Sequence, residues 1–321
     1  MQTLKKLACS RTLIKIVISM IALILICYLF INNNLNKINH SGDAQALTSS
    51  EKLIDYTEES NSIEVYDKAL FKNKDIVNIL LIGQDKRPGE STARSDSMII
   101  ASINKNNSTI KLISLMRDMY VPIPGYDSNK INAAYAFGGM DLLDETIEKN
   151  FLINIDGSVE VDFAGFTNVI DKIGGVDIVL NEAEVDYLNK SNNLSLSSGN
   201  NHLTGEMALT YSRIRYIGND DYERTERQRK VLAASFDKLK DLNLKTLLGL
   251  ANEIFPLITT DFTITEIFGL ITGVMLMDVS DIESFRIPAD GQFTPETING
   301  MSVLLPNLSE NRALLKEYIG Y

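Results

Sequence analysis

Cysteine and histidine are almost missing from this chain of 321 residues, with two of each. Both cysteines, Cys9 and Cys27, fall in an apolar N-terminal region, so the remainder can form neither a disulfide nor a thiolate metal site. His40 lies in a polar stretch and His202 in a Gly/Asn-rich loop, which closes off a histidine-based triad and a multi-histidine zinc centre. No G-x-x-x-x-G-K-[ST] loop is present, which argues against a nucleotide triphosphatase. Ser108–Lys111 fits the S-x-x-K acyl-enzyme pattern, yet it sits in a turn running into a strand and no K-T-G accompanies it. Internal repeats are absent as well.

Excess positive charge is also missing. The net charge of −11 excludes a general polyanion binder, and with it a nucleic-acid partner, so any anion site must be a local basic patch. The eleven arginines are not spread evenly: eight of them are Arg87, Arg94 and Arg117; Arg213 and Arg215; Arg224, Arg227 and Arg229. A guanidinium forks onto phosphate or carboxylate oxygens, so this clustering says more than the overall charge.

One long apolar run occurs near the start. Lys5, Lys6, Arg11 and Lys15 precede an apolar run from Ile16 to Ile31, and Leu13–Ile31 is about long enough to span a bilayer, with Lys15 snorkelling to the interface. Basic residues before the run and few after it predict a cytoplasmic tail (1–12), an uncleaved transmembrane anchor (13–31) and everything beyond outside the cell. A cleaved signal peptide fits less well, because an Asn-rich segment without an A-x-A site follows. Cys27 makes a poor lipoprotein anchor, since Ile26 stands where a small residue belongs. Residues 32–75 read as a polar stem with one helix around Glu51–Ala69. The expected localisation is the cell membrane, single-pass, with a catalytic domain of residues 76–321 extracellular.

With 45% hydrophobic residues, that domain can bury a sizeable core. Three short Ile/Leu/Val-rich runs, Val77–Ile82, Met98–Ile103 and Ile110–Met116, predict buried strands. Gly83-Gln84-Asp85 closes the first, Arg94-Ser95-Asp96 opens the second and Arg117-Asp118 closes the third, so each delivers an arginine, a carboxylate or both at one end. VPIPG (121–125) reads as a rigid turn. Further on come a helix near Met140–Asn150, a strand at Val159–Val161, a helix over Phe163–Ile173 stopped by Gly174-Gly175, and a strand at Val176–Leu180. An Asn/Ser loop (Asn189–Asn201), helices over Leu203–Arg213 and Tyr222–Leu242, and a mostly helical C-terminal part with a strand near Ser284–Pro288 complete the reading. Strand–helix–strand order of this kind predicts an α/β domain.

Asp221, Arg224 and Gln228 fall on one face of the Tyr222–Leu242 helix, with Arg227 adjacent. Ordinary surface pairing, Glu223 with Arg227 and Glu226 with Lys230, would account for part of that pattern. The arginine pair Arg213 and Arg215 just before the helix points instead to convergence on an anion. Asp85 and Asp96 beside these arginines suit magnesium holding a pyrophosphate, because a hard cation takes carboxylate oxygens.

The ordered segments NILLIGQDKR, RSDSMIIASIN, LISLMRDMYVPIPG, KINAAYAFGG, DFAGFTNVIDKIGGVDIVL, LTGEMALTYSRIRY and DYERTERQR together resemble the LytR-CpsA-Psr family, over about Ile76 to Leu242. The resemblance implies a three-layer α/β/α domain with a mixed central sheet. It also implies transfer of a glycopolymer, such as teichoic acid or capsular polysaccharide, from a polyprenyl-pyrophosphate carrier to the sixth-carbon hydroxyl of a peptidoglycan amino sugar, with Mg2+. Carried over by position, Asp85 and Asp96 match the metal-linked aspartates. Arg94, Arg117, Arg213 and Arg215 match the pyrophosphate-contacting arginines, and Arg87 stands close by. Asp221, Arg224, Arg227 and Gln228 match the D-x-x-R-x-x-R-Q signature, and Asp85 or Asp118 is the candidate base. Departures are Met116, where the family often has Pro, Ser97 and Met119, where it often has Thr, and Arg229 in place of a second Gln. Two other classes stay open: a hydrolase of the same pyrophosphate, and a non-catalytic regulator or glycan-binding module. For a DNA-binding regulator, a tail of about a dozen residues is too short for a helix-turn-helix.

Overall fold

The three apolar runs form neighbouring strands at the middle of a seven-stranded mixed sheet. The computed structural model describes residues 39–40, 70–84, 95–192, 194–215, 217, 221–240, 242–279 and 281–321. The expected tail, anchor and stem helix, together with Asp85, Arg87 and Arg94, lie outside the described residues.

In chain order, β1 (Asn39–His40), β2 (Ile76–Gln84), β3 (Ser95–Asn104) and β4 (Thr109–Leu115) precede a hairpin of β5 (Tyr120–Ile123) and β6 (Tyr126–Lys130). Then come α1 (Asn132–Phe151), β7 (Gly157–Asp162), α2 (Phe163–Lys172), β8 (Val176–Leu180), α3 (Glu182–Asn192), β9 (Gly199–Leu203) and α4 (Gly205–Ser212). The long α5 (Asp221–Lys240) is followed by α6 (Leu244–Ile254), β10 (Thr259–Thr260), α7 (Ile264–Met275) and β11 (Ile282–Ile287). A hairpin of β12 (Phe293–Ile298) and β13 (Met301–Pro306), then α8 (Leu308–Ile319), ends the chain. The sheet runs β1-β10-β7-β2-β3-β4-β11, antiparallel at β2–β3 and β3–β4 and parallel at β2–β7 and β4–β11.

Alternation along the central strands sorts their side chains between two unlike faces. Ile76, Leu80, Ile82, Met98, Ile100 and Ile113 share one face and pack against Met140, Leu143, Ile147 and Phe151 of α1 and Leu315 and Ile319 of α8. Each such burial contributes on the order of 1.5–3 kcal/mol against the entropy of ordering the chain. The other face belongs to α5, where Ser97 donates to Gln228 and Arg229 to Ser114. Helices thus cover the sheet from both sides. A second core gathers Val176, Ile178 and Leu180 of β8 with Ile170 of α2, Tyr211 of α4 and Val231 of α5.

Several elements differ from the sequence reading for identifiable reasons. The helix expected near Met140 does begin a straight segment there, but a further segment from Asn132 precedes it. Gly138 (φ −147°, ψ 21°) and Gly139 (φ 67°, ψ −154°) leave helical geometry between the two. VPIPG is strand as well as turn, since Val121 pairs with Asn129 in the β5–β6 hairpin. The Asn/Ser stretch read as loop holds the end of α3 and the start of β9, an exposed partner to β8 whose polar sequence hides it. The C-terminal part is less helical than expected: β12 and β13 are joined through Asn299-Gly300, both at positive φ (51° and 77°), the turn an Asn-Gly dipeptide favours.

Asp144 of α1 is fastened to β7 by Ser158, whose hydroxyl donates to both carboxylate oxygens at 2.8 Å, while the Ser158 N–H donates to Asp261 at 2.7 Å. Burial pushes the Asp144 carboxyl up to about 7; the Ser158 hydrogen bond works against this, and repulsion from Asp261, Glu148 and Asp141 adds to it. The folded state therefore keeps a proton that the unfolded chain releases near pH 4. The contribution of this joint is complete below about pH 4 and declines as the pH rises through about 7. Urea midpoints followed from pH 4 to 8 should fall less in Asp144→Asn than in the parent chain. Parallel curves would contradict the assignment.

Candidate active site

The antiparallel register that pairs Ile99 with Ser114 continues to bring Asp96, at the start of β3, opposite Arg117, just past the end of β4. Arg117 Nη1 donates to Asp96 Oδ1 at 2.7 Å. Its Nε lies 3.5 Å from Asp118 Oδ2, and its Nη2 3.6 Å from Asp221 Oδ2 at the first turn of α5. Two strand ends and a helix N-terminus thus meet on one guanidinium. Burial weakens the charged form of Arg117, but the hydrogen bond to Asp96 and the charges of Asp221, Asp96 and Asp118 outweigh it and raise its pKa.

Asp221 is the second hub. Arg224 Nη1 stands 2.8 Å from its Oδ1, and Arg215 Nε stands 3.8 Å from the same oxygen. Three arginines therefore lean on one carboxylate. Arg224 is 3% exposed, and among the described residues neither its Nε nor its Nη1 has a hydrogen-bond acceptor, although Nη1 is in ion-pair range of Asp221. Burial, then repulsion from Arg117 and Arg215, pulls its pKa down to about 10, with Asp221 opposing. The Nε of Arg117 is likewise buried without an acceptor. Buried N–H groups are nearly always bonded, so unmatched donors on neighbouring cations are compatible with an anionic partner; Arg229 Nε and Arg312 Nη2 are buried without acceptors as well.

The D-x-x-R-x-x-R-Q face splits in two. Gln228 turns toward β3, accepting from the Ser97 hydroxyl at 3.0 Å, and Asp221 and Arg224 stand with it. Arg227 does not join them. It is 2% exposed; its Nε donates to Glu184 of α3 at 2.9 Å, its Nη2 to Glu223 at 2.6 Å and its Nη1 to the Ile214 carbonyl at 3.3 Å. Expected as a pyrophosphate contact, this side chain instead holds the residue between Arg213 and Arg215, so it positions the R-x-R loop. Arg213 is exposed and lies over the Phe163 ring at 4.3 Å, apart from the Arg117 hub. Arg229, the departure from Gln, reaches Ser114 at 2.6 Å, and burial draws its pKa down to about 10.

Some members were not singled out from sequence. Lys130, at the end of β6, donates to Asp118 Oδ1 at 2.5 Å, so both Asp118 oxygens are engaged by cations. Glu184 closes a capping box with Asn181, whose side chain accepts from the Glu184 N–H at 2.9 Å. The N-x-x-E spacing was a legible signal, but nothing in it revealed the pairing to Arg227. At the C-terminal end of β2, Gln84 and Tyr135 both donate to Glu160, Tyr135 at 2.6 Å. Among the described residues no group of three His, Cys, Asp or Glu side chains forms a metal cage.

The arrangement separates Arg227, bonded to three groups, from Arg224, whose buried Nε is unmatched among the described residues. Arg227→Met leaves Glu184 charged and buried, and should lower unfolding free energy by about 3–5 kcal/mol. Arg224→Met removes a desolvated cation and should leave stability unchanged or raised. Chemical denaturation of both variants decides this; equal losses would contradict it.

The LytR_cpsA_psr family model matches residues 34–318. The "Regulatory protein MsrR" of Staphylococcus aureus (strain COL) is 32% identical over 252 residues, covering 77% of this chain and 76% of the relative. A Bacillus cereus protein named polyisoprenyl-teichoic acid--peptidoglycan teichoic acid transferase TagU is 34% identical over 252 residues, covering 74% of this chain and 81% of that one. Among solved structures, the LytR-CPS2A-psr family protein YwtF (TagT) with bound octaprenyl pyrophosphate lipid superposes with a TM-score of 0.61 at 27% identity, over 79% of this chain and 95% of that one. The ordered motifs, the mixed sheet and the arginine-lined strand ends thus have one source: the chain belongs to the LytR_cpsA_psr family.

Proposed function

We propose that this protein is a membrane-anchored phosphotransferase that moves a glycopolymer from a polyprenyl-pyrophosphate carrier to the sixth-carbon hydroxyl of a peptidoglycan amino sugar, outside the cell. The observation that carries the reading is the buried, acceptor-poor guanidinium of Arg224 beside Arg117 and Arg215. A diphosphate supplies the charge and the acceptors that these donors lack. Support also comes from TagT, described with octaprenyl pyrophosphate, and from TagU, named as a teichoic acid transferase.

The sheet offers a place for a lipid tail. On the α1 face the central strands are packed, but on the α5 face Val77, Ile79, Leu81, Ala101 and Val159 stay only half-buried. Central strands of a helix-covered sheet ordinarily bury both faces. A polyprenyl chain lying along that half-open apolar floor would complete the burial.

In the reaction, Arg117, Arg215 and Arg224 bind the pyrophosphate, with Asp96 and Asp221 fixing their directions. The acceptor hydroxyl attacks the phosphorus bearing the glycopolymer, and the bond from that phosphorus to the bridging oxygen breaks. The departing polyprenyl phosphate keeps the electron pair, its charge met by the same guanidinium groups. The hydroxyl proton passes to a carboxylate. Asp118, held on both oxygens by Lys130 and Arg117, suits orientation of Arg117 better than proton abstraction, which favours Asp85 as the base. For Mg2+, Asp96 and Asp85 provide the hard oxygen donors that cation prefers, and when bound it would neutralise pyrophosphate oxygens. Asp96 Oδ1 already accepts from Arg117 at 2.7 Å, and Asp85 lies outside the described residues.

The test combines the protein with polyprenyl-pyrophosphate oligosaccharide, uncrosslinked peptidoglycan glycan and Mg2+, read by mass spectrometry. A phospho-sugar joined to the glycan is expected, falling at least about 100-fold in Arg117→Ala and disappearing with chelator. Release of polyprenyl phosphate with no joined product would make the protein a hydrolase. Lipid binding without turnover would make it a binding module.

A further inference from the structure

The structure ties the stem of the chain to one particular edge of the domain. Asn39 and His40 pair in parallel with Thr259 and Thr260, so β1 is the outermost strand and β11 the opposite edge, six strand spacings of roughly 4.8 Å away. The apolar run Leu13–Ile31 ends only Asn32–Ile38 before this strand. Fully extended, that connection reaches at most about 29 Å. If the run spans the bilayer, the β1–β10 edge is the part of the domain held nearest the membrane.

The helix leading into that edge is α6, which continues through a short 3-10 turn (Phe255–Leu257) to β10. It begins at an Asn243 cap and carries no fully buried residue. Its inner side leans on Phe255 and Ile264 through Ala251, and Glu253 binds Lys172 of α2 at 2.5 Å, which fixes how the helix is turned. The outer side is apolar. Leu244, Leu248, Gly249 and Asn252, one helical face, line an open hollow of 440 Å³ together with Lys245. Leu244 is 40% exposed, and a Cβ added at Gly249 would meet nothing within 4 Å. An outward leucine face beside a lysine that can reach up to phosphate is how helices lie in a bilayer interface. On its own this face is small. A tether that holds the adjoining β1 strand within about 29 Å of the surface raises the effective concentration of this face there.

We infer that the outer face of α6 docks on the lipid surface, laying the β1–β10 edge of the sheet against the membrane. This rests on the anchor reading above. Docked in that way, the domain takes a carrier lipid directly from the bilayer instead of extracting it through water.

The test uses the full chain in phosphatidylcholine/phosphatidylglycerol vesicles, with Cys9→Ser and Cys27→Ser and one environment-sensitive fluorophore at Gly249→Cys or, on the far edge, at Asp281→Cys. Lipids spin-labelled near the headgroup should quench the Gly249 label several-fold more than the Asp281 label. Adding Leu244→Asp and Leu248→Asp should bring the two to the same level while circular dichroism and transfer from a short-chain, water-soluble donor persist. Equal quenching in protein that co-floats with vesicles overturns the docking face and spares the anchor. Failure to co-float overturns both. A Gly249 label shielded from aqueous iodide but unquenched by lipid assigns the face to a second protein copy, and overturns the inference too. Transfer activity is read separately from all of these, so loss of the transferase reading is not confused with loss of docking.

Discussion

The site depends on an imbalance of charge in a partly dry place. Arg117, Arg215 and Arg224 share Asp221, Arg117 leaning also on Asp96 and Asp118, and burial makes the guanidinium of Arg224 costly to keep charged. A fold optimised for stability alone would not bury Arg224 beside two other arginines with its Nε unmatched among the described residues. Arg117 is pinned by Asp96 across the β3–β4 register, Arg224 rides on α5, and Arg227 clamps the loop that presents Arg215. On the proposed reading, a ligand with several anionic oxygens would supply the acceptors these donors lack.

The two faces of the sheet divide the work in the same spirit. Toward α1 the packing is dense and supplies stability; toward α5 it is looser, with polar contacts from Ser97 and Ser114 and a half-buried apolar floor. On the proposed reading, a carrier with an anionic head and an apolar tail would use the arginine hub and this floor together. The fold likeness to TagT with octaprenyl pyrophosphate agrees with that division.

Much of this was legible in the sequence, because punctuation at strand ends is a strong signal. The R-S-D before β3 and the R-D after β4 announced a meeting point, and antiparallel pairing brought Asp96 to Arg117. The α5 face was legible from spacing, as Asp221, Arg224 and Gln228 show. Arg227 was not: its direction depends on Glu184, which arrives from α3, and helical periodicity does not reveal which long-range partner claims an arginine lying between two faces. Lys130 escaped for the same reason, since it reaches Asp118 only through the β5–β6 hairpin. The half-open floor under α5 was invisible because Val, Ile and Leu in a strand look alike whether a helix or a lipid covers them. Hairpin β12–β13 is different; its Asn-Gly turn was there to be read.

The most direct test of the central claim is to measure how the denaturation midpoint shifts with added ligand, comparing a polyprenyl pyrophosphate with the corresponding monophosphate and alcohol. Ligands that bind only the native state raise stability with the logarithm of their concentration above Kd. If unmatched arginines define the site, the pyrophosphate shifts the midpoint most and the alcohol least, and Arg224→Met erases the difference between them. If all three shift it alike, the tail alone governs binding and the arginine hub is not the anion site.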